Sequence, residues 1–77
     1  SKQDAEHEAL INQALQRSDL GAFDDADLLF ARAAAIPTRD PVQRRLRRNF
    51  LTIHRLNQGD DVGALDALTV AVDPPFP

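Results

Sequence analysis

The residues in this 77-residue chain whose types could do chemistry are two histidines, a few hydroxyls, a trio of aspartates and a run of arginines. There is no cysteine, so disulfides, thiolate zinc sites and cysteine nucleophiles are excluded, with no bearing on redox compartment. His7 and His54 have no second histidine beside them. His7 sits within a helical turn of Asp4 and next to Glu8, which sketches a three-ligand metal site on paper, but a solvated surface position is the expectation. His54, beside Arg55, reads as a surface or partly packed residue. Ser18, Thr38, Thr52 and Thr69 have no adjacent base to activate a nucleophile. Gly21, Gly59 and Gly63 are isolated, so no phosphate-cradling loop exists. Asp24, Asp25 and Asp27 lack the glycine and terminal glutamate of a calcium loop, and the dipole at a helix start accounts for them. No catalysis, cofactor or metal is expected from this set.

The arginines are the most distinctive polar feature. Arg39, Arg44, Arg45, Arg47, Arg48 and Arg55 put six of nine basic residues within seventeen positions. On a helix, Arg44, Arg48 and Arg55 fall along one side, Arg45 neighbours them and Arg47 is displaced. One reading is a docking patch for an acidic peptide, carboxylate or phosphate, which guanidinium groups bind bidentately. The other, with more weight, is a solvated face balanced by Asp24, Asp25, Asp27 and Asp40. The net charge of -3 and the lack of a stacking platform argue against nucleic acid.

The elements that must position these residues are helices. Hydrophobic residues are 43% and charged residues 27%, a globular balance, and β-branched alternation is missing. No apolar run approaches the ~18 residues of a membrane span. Helical periodicity predicts four segments: about 3–18, 22–36, 41–58 and 60–72. Gly21 breaks the first from the second, Pro37 stops the second, and Gly59 ends the third. Asp40 is a good N-cap, Pro41 suits the first helical position, and Gln43 completes a capping-box pattern. Residues 73–77 read as a frayed, proline-rich tail.

The two halves repeat. Gly21 and Gly59 are 38 residues apart, as are Ala26 and Ala64, Phe30 and Leu68, Ala33 and Ala71, and Arg17 and Arg55. Each half reads helix, glycine turn, helix, proline, which is the signature of stacked repeats. The stretches Ala26-x3-Phe30-x2-Ala33 and Ala64-x3-Leu68-x2-Ala71, with the turn Asn57-Gln58-Gly59-Asp60, resemble the tetratricopeptide repeat family. Ala14 and Thr52 occupy the small-residue position of its first helix. The resemblance spans about residues 7–76 and departs from the family in four extra residues per period. Gln13 stands at a common leucine position, Arg17 and Arg55 at a common aromatic one, and Asp27 at a usually apolar one. A fainter resemblance, carried by residues 49–59, is to the degenerate repeats that precede caspase-like CHAT domains in bacterial proteins.

The resemblance implies an all-α fold of two antiparallel hairpins, about 3–37 and 41–76, stacked as a short solenoid in one domain. The missing initiator Met and the proline-rich end suggest a segment of a longer protein, and the abundance of Ala and Arg hints at a GC-rich bacterial genome, soluble in cytoplasm or periplasm. It also implies a noncatalytic protein-interaction module. The first helix of each hairpin would line a concave face, partly apolar, with Ile11, Leu15, Asn49, Phe50, Ile53 and Asn57 contacting a peptide or partner helix. Arg44, Arg45 and Arg48 would flank it. Some of these apolar residues must be core. The alternatives are self-assembly, as in a homodimer that closes the open apolar faces, and a regulatory repeat region of a larger bacterial enzyme such as a CHAT-type protease.

Overall fold

A computed structural model describes residues 1–69, and four helices account for nearly all of them. Helix α1 (Lys2–Asp19) starts at Ser1, whose hydroxyl accepts from the Asp4 amide at 3.1 Å. Helix α2 (Phe23–Ala34) carries Asp24 and Asp25 in its first turn. It ends two residues before the expected boundary, because Pro37 biases Ile36 away from helical geometry. Helix α3 (Pro41–Asn57) begins where Asp40 accepts from the Val42 amide at 3.0 Å. Helix α4 (Asp61–Thr69) is opened by Asp60, whose carboxylate accepts from the Gly63 amide at 2.9 Å. The expected end of the fourth helix, the position of Ala71 and the tail at 73–77 lie outside the described residues.

One start signal works differently from expectation. Gln43 does not close a capping box. Its side chain is buried and turned to α1, and the Asp40 amide instead donates to the Thr38 hydroxyl at 3.3 Å.

The duplication seen in the residues recurs in the backbone. Gly21 has φ 80° and Gly59 φ 75°, the left-handed region that glycine enters without steric cost. After α1, the Gly21 amide donates to the Ser18 carbonyl at 2.9 Å and the Ala22 amide to Arg17 at 2.9 Å. After α3, Gly59 donates to Leu56 at 3.0 Å and Asp60 to Arg55 at 2.9 Å. These are two Schellman turns, matched bond for bond 38 residues apart.

Each turn folds its two helices into an antiparallel hairpin: α1 packs on α2, and α3 on α4. The hairpins then stack, α3 lying against both α1 and α2. Side-chain bonds join residue 7 to 43 and 47, and residue 18 to 54 and 57. Partners rise together along both helices, so α1 and α3 run parallel. Close approach rests on small residues: Ala14, Ala26, Ala33, Ala64 and Ala67 are buried. Ala14, Ala26 and Phe30 form a core cluster, with Leu29, Phe50 and Leu51 packed against it. Leu68, the counterpart of buried Phe30 at the 38-residue spacing, is 49% exposed. Close backbone approach between α2 and α4 is lacking among the described residues.

Because both glycines have positive φ and open space beside them, alanine at either position meets backbone strain alone. Gly21→Ala and Gly59→Ala should each destabilise the chain by about 1–2 kcal/mol, read by urea unfolding. Costs near zero at both would contradict the turn assignment.

Candidate functional site

Histidine side chains are built into the seam between α1 and α3. His7 is fully buried, not solvated as expected. Its Nδ1 lies 2.9 Å from Gln43 Oε1, and its Nε2 lies 3.0 Å from a guanidinium nitrogen of Arg47. An arginine only donates, so Nε2 accepts, and Nδ1–H donates to the glutamine carbonyl. The ring is therefore neutral in this arrangement. The same end of α1 is tied to the inter-hairpin connector by the Thr38 hydroxyl, which donates to Asp4. That bond holds the Asp4 carboxyl below its usual pKa.

His54 is also fully buried, again against expectation. Its ring meets Phe30 at 5.3 Å and Phe23 at 5.9 Å between centroids. Nε2 is 2.7 Å from Asp27 Oδ1, and Nδ1 is 2.7 Å from Ser18 Oγ. With the Asp27 carboxylate accepting, Nε2 carries a proton, and in the neutral ring Nδ1 accepts from the serine hydroxyl. Asn57 Nδ2 donates to Ser18 Oγ at 3.0 Å and to Asp19 Oδ1 at 3.0 Å. A directed chain results: Asn57 to Ser18 to His54 to Asp27.

Ser18 thus has an adjacent base, contrary to the sequence expectation, and the order serine, imidazole, carboxylate is the one used in acyl transfer. The surroundings differ. Ser18 is 2% exposed, so its oxygen meets no substrate unless the seam opens. Every buried side-chain nitrogen or oxygen among the described residues has a partner, which is the condition for burying such groups cheaply.

Burying polar residues at the seam leaves α3 with three distinct faces. Gln43 and His54 turn to α1. Val42, Asn49, Ile53 and Leu56 form an exposed stripe, with Val42 50% and Leu56 54% exposed. The third face carries Arg44, Arg47, Arg48 and Leu51 at i, i+3, i+4 and i+7. It lines a cavity of about 150 Å³ whose remaining walls are Phe30 and Ala34 of α2 and Ala67 of α4. Arg47, expected to point elsewhere, belongs to this set. Burial, and then the charge of Arg44, lower the Arg47 pKa.

The other anticipated residues separate. Ile11 is wholly enclosed and packs inside the bundle, so it presents nothing to a partner. Leu15 and Phe50 are half-buried, while Asn49, Ile53 and Asn57 are exposed. Arg45 does not line the cavity. Arg55 lines a different concavity together with Asp60 and Asp66, and its guanidinium donates to Gln58. A larger, shallow concavity of about 490 Å³ on the α1–α2 side mixes glutamines, Arg17, Arg32 and Asp25 without convergent chemistry. Among the described residues, no group of three acidic or histidine side chains could hold a metal, and no helix is long and apolar enough to cross a membrane. No family model matches the sequence, and no curated protein or solved structure proves similar to it.

The residues missed in sequence are Gln43, Ser18 and Asp27 as histidine partners, and Arg47, Phe30, Ala34, Leu51 and Ala67 around the cavity. The helical spacing 44, 47, 48, 51 held the signal for part of the second group. Gln43→Leu keeps volume and removes the acceptor from a buried N–H. It should destabilise the chain by about 1–3 kcal/mol, measured by denaturant unfolding. An unchanged midpoint would show that the His7 bond contributes nothing.

Proposed function

We propose that the chain is a noncatalytic protein-interaction module that receives a peptide or partner helix along the exposed stripe of α3. The observation that carries this reading is an inversion of the usual sorting. Two histidines, a glutamine and a serine are buried, while Val42, Ile53 and Leu56 stay in water. Apolar side chains at 42, 53 and 56, with Asn49 between them, suit the apolar face of an amphipathic segment. The tetratricopeptide resemblance points the same way, since the first helix of each hairpin lines the binding face in that family. Half-buried Leu15 and Phe50 would extend the apolar contact, Asn57 would supply a polar edge, and Arg44 and Arg48 would orient an acidic partner from the flank.

A catalytic reading of Ser18, His54 and Asp27 is less favoured for a physical reason. An acyl-transfer serine needs a substrate carbonyl beside it and donors for the developing oxyanion. Ser18 is enclosed, and its second hydrogen-bonding position is taken by Asn57.

Selection of binders from a displayed library of random peptides, followed by amide-shift mapping on the full chain, tests the proposal. Selected peptides should shift Asn49, Ile53 and Leu56. Ile53→Asp should weaken them at least tenfold while costing only about 0.5 kcal/mol of folding stability, as for other surface positions. A selection that yields no binder would contradict the reading. A mass doubled in light scattering and lost on Ile53→Asp would favour self-assembly through the same stripe.

A further inference from the structure

We propose that the arginine-rimmed cavity between α2 and α4 is a second recognition site, which takes one aliphatic side chain of a partner protein together with the carboxylates flanking it. This inference rests on the interaction-module reading, and the cavity shares with the stripe only the flanking Arg44 and Arg48. The exposed stripe lies on another face of α3.

The cavity has two kinds of wall. Phe30, Ala34, Leu51 and Ala67 supply an apolar floor. It lies where α2 and α4 make no close backbone approach, while α3 packs against both. Arg44, Arg47 and Arg48 converge on it from one helix within two turns. Among the described residues, the side-chain bonds of Arg47 and Arg48 go to neutral acceptors. Arg47 meets His7 and the Ala33 carbonyl, and Arg48 meets Asn49. Neutral acceptors leave the charges of Arg47 and Arg48 uncompensated beside the apolar floor, and a carboxylate offers each a charge-assisted, bidentate partner. Burial first, and the charge of Arg44 second, lower the Arg47 pKa.

Size and charge choose the occupant. A volume of about 150 Å³ is well below the ~300–1,000 Å³ of sites for drug-sized ligands, and it accommodates a single side chain. A bare phosphate would leave the floor unused. A long polyanion would face a chain of net charge -3. An acidic segment with a leucine between its carboxylates satisfies both walls at once.

The probe is the hexapeptide acetyl-Asp-Glu-Leu-Leu-Glu-Asp-amide, titrated into the full chain and followed by amide shifts. Saturable shifts centred on Ala34, Leu51 and Ala67 are expected. The affinity should fall at least tenfold when the acidic residues become their amides, in Arg48→Gln, and in Ala34→Leu, which fills the cavity from an exposed position. Arg48 and Ala34 are outside the buried seam, so both variants should fold, which circular dichroism verifies. Shifts confined to Asn49 and Ile53 would overturn this site and keep the interaction-module reading. Absence of saturation at millimolar peptide would overturn the site, and only a failed library selection would remove the broader reading. An Asp73→Asn variant that binds the peptide tenfold more tightly would assign the cavity to the chain's own residues 70–77 and overturn the proposal.

Discussion

The stacking of the two hairpins depends on keeping two buried imidazoles hydrogen-bonded. An unpaired polar group enclosed in a protein costs about 1–3 kcal/mol, and a small domain has only about 5–15 kcal/mol in total. His7 and His54 are both fully enclosed. Each is satisfied only if α1 and α3 lie parallel in one register. Sliding α3 by a turn would separate His7 from Gln43 and His54 from Ser18 together. Apolar contacts among alanines tolerate such slippage far better, because one methyl group resembles another. The small residues permit close approach, and the polar pairs choose which approach is made.

That choice determines what remains outside. With Gln43 and His54 facing α1, helical geometry turns Val42, Ile53 and Leu56 outward and aims Arg44, Arg47 and Arg48 at the gap between α2 and α4. His7 and the cavity also share a residue. Arg47 donates to His7 from one side of α3 and borders the cavity on the other. The seam and the arginine cluster are thus parts of one arrangement, and a perturbation of His7 reaches the cavity through a single guanidinium.

Much of the fold was legible in the residues because its causes are local. Gly21 and Gly59 need only their own φ to end α1 and α3, and Asp40-Pro41 caps α3 with neighbouring atoms. The 38-residue duplication survives in the turn bonds because both turns are the same local motif. The histidines were misread because burial is a tertiary property. Nothing within a turn of His54 foretells Ser18, 36 residues away. One clue was available. In stacked repeats, residues separated by nearly one period are neighbours, and His7 with Gln43 and Ser18 with His54 both stand at 36, two short of the period. Complementary polar pairs at that spacing mark a seam. Spacing alone fails in the opposite sense at Leu68, which stands 38 residues from buried Phe30 and is half exposed.

The most direct test of the polar seam is the tautomeric state of each histidine, read from long-range proton–nitrogen correlations of the uniformly labelled chain near neutral pH. With both rings neutral, the bonding described here places the proton on Nδ1 in His7 and on Nε2 in His54. Two distinct, non-averaged spin systems with those assignments would establish that the seam is formed as described. Two rings that average rapidly between tautomers, as free imidazole does in water, would contradict it.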